Sequence, residues 1–524
     1  MELKNLAEIE HATIGARQEF LRLGTAILFL VGILIYAGVM FRDVSDAYIL
    51  VAAAMVGGYM AMNIGANDVA NNVGPAVGSK TLTLTGAIII AAIFEAAGAL
   101  IAGGDVVGTI KNGIINPDMV ADPDTFIWLM LAALMAGALW LNIATYNGWP
   151  VSTTHSIVGG VLGAGIAAAG WDVANWSKMG AIVASWVISP VMGGVIAAIF
   201  LFIIKRTITY QADVLASARK VVPILIAVMA MAFTTYLMLK GVKKLIKVDM
   251  VTALAIGVAA GVFIWAVIRP MIAKRSLTLE ADKHGVNKLF VIPLIFAAAL
   301  LSFAHGANDV ANAVGPLAGI YDAVMSHAVT GKASIPLWVM MIGATGIAFG
   351  LALYGPKLIR TVGSEITELD QARAFCIAMA AAITVIIASQ LGLPVSSTHI
   401  AIGAVFGVGF MREAIKKNYA MILAEIREHH QGEDAQVVKD YLAKFEAAAL
   451  TEKQEMMKTL RQQVKKGATT ITKEERKDLN KQVTKALVQR SMALKIASAW
   501  IITVPLSALM AAMLYFTIRG FMLP

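Results

Sequence analysis

Charge is scarce in this 524-residue chain: Asp, Glu, Lys and Arg make up 15% of it, against about 25% in an ordinary soluble domain. Cysteine is scarcer still, with Cys376 alone, which excludes an internal disulfide and a cysteine-rich metal site. No P-loop signature and no HExxH run is present, so ATP coupling within this chain and zincin-type hydrolysis have no residues to carry them. What fills the space is apolar: 58% of residues, with a mean hydropathy of +0.73. That excludes disordered, fibrous and secreted-scaffold readings. The net charge of +9 would suggest nucleic acid, but Lys and Arg gather in the links between apolar runs, as the positive-inside bias requires. The expectation is an all-α polytopic membrane protein with no nucleic-acid partner, lying in the plasma membrane.

A helix needs roughly 20 apolar residues to cross a bilayer. Runs of this kind occur near 23–41, 48–64, 84–103, 126–146, 180–204, 222–239, 251–268, 290–304, 335–354, 374–391 and 496–518. Two shorter runs, 155–170 and 399–411, each follow a Ser/Thr cluster and have the length of re-entrant segments, giving about 12–13 membrane segments in all. The first 22 residues mix Lys4, Arg17 and Arg22 with four glutamates and lack a signal-peptide layout, so the first span reads as a retained anchor.

The chain repeats itself. Residues 65–78 read GANDVANNVGPAVG and 306–319 read GANDVANAVGPLAG, with 11 of 14 identical. PVSTTH at 150–155 and PVSSTH at 394–399 agree at 5 of 6 positions. Ala184-Ser185-Trp186 and Ser498-Ala499-Trp500 keep the same order, but the second is set 70 residues later by a charged insertion. That insertion, 412–492, holds 17 basic and 12 acidic residues and no membrane-length run. Thr451 with Gln454 and Thr472 with Glu475 have capping-box spacing, and Gly467 suits a helix C-terminus. The expected division is 1–47, tail and extra span; 48–204, first repeat; 205–289, linking spans; 290–411, second repeat; 412–492, cytosolic helical insertion; and 493–524, last span. Counting crossings gives seven or five between the starts of the two halves. Both are odd, so the repeats are expected to be inverted, an architecture that places a binding site at their interface. With 412–492 in the cytoplasm, 104–125 falls outside. So do Lys240, Lys243, Lys244 and Lys247, against the charge bias.

GAND puts Asn and Asp at membrane depth, where an ionisable residue is expensive and marks function by default. Asp68 and Asp309 occupy matched positions. Gly65, Gly306 and the Gly-Pro pairs at 74–75 and 315–316 are expected to unwind the helices there. Freed carbonyls, with Asn67, Asn71, Asn308, Asn312 and the two carboxylates, would then be hard oxygen donors for Na⁺; the plainer alternative is that these residues only cap half-helices. Ser152, Thr153 and Thr154, and Ser396, Ser397 and Thr398, each precede an apolar helix. Hydroxyls and free N–H groups at such a terminus suit a tetrahedral oxyanion, ordinary N-capping being the alternative. Glu95 is a further intramembrane carboxylate without an acidic counterpart, a candidate cation ligand or gate. His155 and His399 adjoin the Ser/Thr clusters as packing residues or ligands. Paired carboxylates repel an anion until a bound cation reverses the local sign, so oxyanion and Na⁺ or H⁺ should bind together.

The doubled GANDVAN at 65–71 and 306–312, with both P-V-S-[ST]-T-H stretches, resembles the inorganic phosphate transporter family. Ala92-Ile93-Phe94-Glu95 and Gly108–Ile115 are similar to the branch that includes animal sodium–phosphate symporters. The resemblance implies a symporter importing inorganic phosphate with Na⁺ (or H⁺) by alternating access, without a cofactor and as a homodimer. It assigns phosphate contacts to both Ser/Thr triplets with Asp68 and Asp309, and cation contacts to the Asn/Asp motifs. The span at 23–41 departs from the family pattern. Rivals are a sulfate symporter of the same family, a passive anion channel, and an intramembrane hydrolase using His155, His399 and the Asp pair.

Overall fold

The structure is a computed structural model, described over all residues except 1, 121, 212, 242–247, 330–334, 366–368, 417–434, 448–449, 466–470, 473–475, 477–489 and 523–524. Among the described residues it is helical, without a strand. In chain order the α-helices are α1 (Glu2–Met40), α2 (Ala47–Gly78), α3 (Leu84–Ala102), α4 (Gly104–Asn112), α5 (Pro123–Asn147), α6 (Thr153–Ala169), α7 (Trp176–Ile204), α8 (Val214–Lys240) and α9 (Met250–Ser276). They continue as α10 (Lys283–Leu289), α11 (Val291–Asp309), α12 (Ala311–Ser326), α13 (Leu337–Glu365), α14 (Gln371–Gln390), α15 (Ser397–Lys416), α16 (Ala435–Ala447), α17 (Leu450–Lys465) and α18 (Arg490–Met522).

Starts and stops follow local chemistry. Asp122 accepts from the Thr125 N–H while Pro123 takes the first helical position of α5, where no N–H is needed. Gly148, at φ 73°, ends the same helix. Among the described residues eleven helical segments are long and apolar enough to cross a membrane, and each contains or overlaps one of the eleven long runs read from sequence. They do not bury equally. The apolar window of α14 is 83% buried and that of α2 72%, whereas the first span, Glu19–Met40, is 17% buried. The helices that carry the motifs are therefore the interior of the molecule, and the first span lies at its edge.

The glycines of GAND do not unwind the helices. α2 runs unbroken through residues 65–68, and at Val310, between α11 and α12, the backbone keeps helical angles (φ −55°, ψ −30°). The glycines serve close approach instead. A Cβ on Gly65 would fall on the Ile347 carbonyl oxygen of α13, and one on Gly306 on the Glu95 carbonyl oxygen of α3. Gly98 meets the Phe303 carbonyl and Gly350 the Met62 carbonyl in the same way. At these glycines each motif helix thus meets a helix of the other half backbone to backbone, at corresponding positions. The chain breaks before the Ser/Thr clusters, at 148–152 and 391–396.

The chain divides into two compact units, Met1–Val408 with Leu494–Pro524, and Gly409–Ala493. In the second, α16 and α17 close over a small core of Val438, Leu442, Phe445, Met457, Leu460 and Ile471. Of the expected capping groups, the Thr451 and Gln454 side chains, Glu475 and Gly467 lie outside the described residues. In the first unit Lys240 pairs with Asp105, which gives that lysine an acidic neighbour from the 104–125 stretch. Lys243, Lys244 and Lys247 lie outside the described residues.

Candidate anion and cation site

Two helix N-termini face each other at the centre. Ser152 opens α6 by accepting from the His155 N–H at 3.1 Å, and Ser396 accepts from the His399 N–H at 3.2 Å before α15. Both serine oxygens are caps, and each hydroxyl still has its own proton to donate. The next residues tie the termini together. Thr154 donates to the Val395 carbonyl (2.9 Å) and Thr398 to the Val151 carbonyl (3.3 Å), so each cluster is held by the backbone preceding the other. Behind them His155 and His399 meet edge to face at 4.4 Å, each packed on the tryptophan of its own half, Trp186 or Trp500. The histidines are packing residues in this arrangement.

The carboxylates lie against these termini. Thr153 Oγ1 is 2.8 Å from Asp68 Oδ2 and 3.2 Å from Asp309 Oδ2. Ser397 reaches Asp309 at 3.4 Å and Thr398 reaches Asp68 Oδ1 at 3.1 Å. Both aspartates are buried, each 1% exposed. A threonine has one proton, so Thr153 cannot donate to both carboxylates at once. Asp309 Oδ2 also has Ser397 beside it, while Asp309 Oδ1 is buried without a hydrogen-bond partner among the described residues, a position that suits a cation.

The asparagines complete the frame from crossed positions. Asn71 donates to Thr398 at 2.8 Å, and Asn312 to Thr154 at 3.1 Å, each reaching into the other half. Asn67 donates to Thr145 and the Trp149 carbonyl, and Asn308 to Ser389 and the Leu393 carbonyl, fixing each motif to the segment leading into its Ser/Thr cluster. The amide nitrogens are thus used, and three of the amide oxygens are spare. Asn67 Oδ1, Asn308 Oδ1, Asn312 Oδ1 and Asp309 Oδ1 are buried without a hydrogen-bond partner among the described residues. Pro75 and Pro316 add two more acceptors: lacking N–H, they deprive the Asn71 and Asn312 carbonyls of their helical donors. Buried oxygens of this kind suit a hard cation, without the helix unwinding that the sequence suggests.

One group escapes the sequence reading. His305, fully buried on α11, places Nε2 3.1 Å from Asp309 Oδ2 and 3.7 Å from Asp68 Oδ2, with Nδ1 3.3 Å from Glu95 Oε2. Asp68, His305 and Asp309 can each offer one ligand atom within 4.8 Å of the others. Glu95 also accepts from Asn72 at 2.7 Å, so it joins the aspartates through His305 and does not touch the hydroxyl clusters. The available signal was spacing: His305 is four residues before Asp309, on the same face of one helix. The structure therefore gathers the eight residues expected for the anion, with Ser152 and Ser396 as caps, and brings Asn71 and Asn312 onto the same hydroxyls, while Asn67 and Asn308 bond to the segments leading into the clusters and Glu95 lies at the margin.

Residues 64–511 match the phosphate transporter family. A protein of Helicobacter pylori strain J99 described as "Putative phosphate permease" is 50% identical over 523 residues, covering 98% of each chain. One of the same description from Chlamydia muridarum is 40% identical, covering 70% of this chain and 90% of its own. A solved structure titled "The sodium-dependent phosphate transporter" superposes with a TM-score of 0.74 at 30% identity, covering 91% of this chain and all of its own. Buried paired acids, hydroxyl-rich helix termini and, among the described residues, eleven membrane-length helices accompany a family match over most of the sequence. The chain is a multi-pass membrane protein, not an enzyme, and belongs to the phosphate transporter family.

Proposed function

We propose that this chain is a secondary active symporter that imports inorganic phosphate with Na⁺ (or H⁺) by alternating access. Its two repeats are inverted about the central site, 412–492 is cytoplasmic, and the working form is a homodimer. Phosphate is held by Thr153, Thr154, Ser397 and Thr398, with Ser152 and Ser396 presenting the helix termini, beside Asp68 and Asp309. Cations take the spare oxygens of Asn67, Asn71, Asn308 and Asn312 with the same two carboxylates, and Glu95 acts through His305. The observation that supports this reading is the contact of Thr153 with both aspartates, because it brings a hydroxyl of the Ser/Thr clusters against both acids. Two carboxylates beside a phosphate are mutually repulsive in a low-dielectric site, so occupancy by a cation must accompany occupancy by the anion. The titled sodium dependence of the solved relative supports Na⁺ over H⁺ as that cation.

The test is uptake into proteoliposomes, with labelled phosphate or sulfate outside and a Na⁺ gradient or a pH gradient imposed separately. Accumulation of phosphate above equilibrium, driven by Na⁺, is the expected result. Equilibration without accumulation under either gradient would make the protein a channel, and a preference for sulfate would reassign the substrate.

A further inference from the structure

The two halves differ where each motif is anchored to the helix before its Ser/Thr cluster. Asn67 donates to Thr145 of α5 and Asn308 to Ser389 of α14, so Thr145 and Ser389 are counterparts. Ser389 is 2% exposed. Thr145 is half-buried and forms part of the wall of a cavity of about 520 Å³ between α1 and helices α2, α5 and α13.

The body side of that cavity is polar. Tyr59 and Asn63 of α2, Asn142 and Thr145 of α5 and Tyr354 of α13 all line it. Asn142 donates to Asn63 at 3.4 Å, and Ala66, the residue before Asn67, borders the same space. Opposite them α1 contributes Leu23, Ala26, Ile27 and Leu30, an apolar face at helical spacing. Charged residues of both signs, Glu19, Arg22 and Lys357, complete the wall.

The second half is built shut at the corresponding place. By their distances from Asp309 and Ser389, Leu300, Ala304 and Ile386 stand where the first half has Tyr59, Asn63 and Asn142. All three are buried. There α8 packs on α11 and α3, as α1 packs on α2 and α13. Phe233 and Tyr236 of α8 meet Phe303 edge to face at 5.4 and 6.1 Å, and Tyr236 lies beside Ser389, 1% exposed.

Polar side chains at membrane depth face protein or water, because hydrocarbon offers them no partners. Five of them around one space give water the hydrogen bonds it needs there. The cavity ends on Ala66 and Thr145, which adjoin Asn67, and Asn67 Oδ1 is buried without a partner among the described residues. We propose that the cavity is a water-filled vestibule, screened from lipid by the apolar face of α1, through which hydrated ions exchange with the first-motif side of the central site. It rests on the transport reading only for which ions pass. Without α1 the same polar wall would face hydrocarbon, which gives the added span a task.

Cys376 is buried, so the unaltered protein serves as the blank for thiol labelling. In nanodiscs, which leave both membrane faces open, Asn63→Cys, Asn142→Cys and Thr145→Cys are to be compared with Ala304→Cys, Ile386→Cys and Ser389→Cys. The probe is a membrane-impermeant trimethylammonium methanethiosulfonate, read by intact mass. The first three should be labelled at least tenfold faster than the last three. Ile27→Trp, which fills the cavity from α1, should slow labelling of Thr145→Cys several-fold. Labelled Asn142→Cys should lose most of its solute uptake in proteoliposomes and regain it when the adduct is reduced. Equal rates in the two sets, or no labelling in the first, overturn the proposal, and any one pair that folds decides this. So does an unchanged rate with Ile27→Trp, or full uptake by the labelled protein. The expected labelling with sulfate or H⁺ as the solute carried upholds the vestibule and corrects only the proposed cargo.

Discussion

Thr153 touches both carboxylates, whereas its counterpart in the second repeat, Ser397, touches Asp309 at 3.4 Å. Asn72 of the first motif holds Glu95, whereas the second motif has Ala313 in that place. His305 precedes the second Gly-Ala-Asn-Asp, and Ile64 precedes the first. Glu95 and Ile347 are likewise counterparts, since each presents its carbonyl to the glycine of the opposite motif. The two halves thus share a doubled frame of Asn, Asp and hydroxyl groups, crossed so that each half satisfies the other. They differ at Thr153 and Ser397, and in a buried chain, Asn72–Glu95–His305, that belongs to neither half alone. The frame is nearly symmetric; the chain makes it one-sided.

Substitutions can break the shared part or expose the unshared part. The largest effect is expected from Asp68→Asn and Asp309→Asn. A hydrogen bond to a charged group contributes about 1.5–3 kcal/mol, so each change should reduce phosphate uptake about tenfold to a hundredfold with membrane insertion intact. Normal uptake in both would remove the acids from the site. Next come Gly65→Ala and Gly306→Ala, where the new methyl has only a backbone carbonyl to meet. Overpacking costs roughly 1–3 kcal/mol, read as a lower melting temperature and a smaller folded yield, and the two should suffer alike because their contacts correspond. A large difference between them would break the correspondence of the halves.

Thr153→Ala against Ser397→Ala sharpens the comparison. The first removes contacts to both acids and should cost about 1 kcal/mol more, roughly a fivefold larger loss of uptake. Equal losses would mean that the asymmetry at these two positions carries no function. Glu95→Gln keeps the acceptor for Asn72 but removes the charge facing His305. It should weaken the apparent affinity for Na⁺ a few-fold and move the phosphate KM less, and the reverse ranking would place Glu95 with the anion. The smallest effect belongs to Gly24→Ala on α1, where nothing lies within 4 Å of the added carbon. Melting should change by less than about 0.5 kcal/mol equivalent.

The frame was legible because it is written twice. Two copies of GANDVAN, and two P-V-S-[ST]-T-H stretches, turned residues that would separately pass as caps into a candidate site. His305 and Asn72 were not legible by that means, since their counterparts are apolar and duplication cannot flag a residue that occurs once. Glu95 showed only because a carboxylate inside an apolar run is expensive. The helix ends at the Ser/Thr clusters were readable from Pro and Ser. The continuity of α2 through Gly65 was not, because glycine permits both unwinding and close contact, and only the presence of Ile347 on the facing helix decides between them.

The contact of Gly306 with the Glu95 carbonyl constrains how α3 and α11 can travel. His305 and Ala307, on either side of that glycine, carry side chains that cannot enter so narrow a gap, so neither helix can creep past the other by a residue at a time. The pair moves as one beam or parts completely. If it moves as one, Glu95, His305 and Asp309 ride together, and the contact left free to part is the one from His305 to Asp68 on α2.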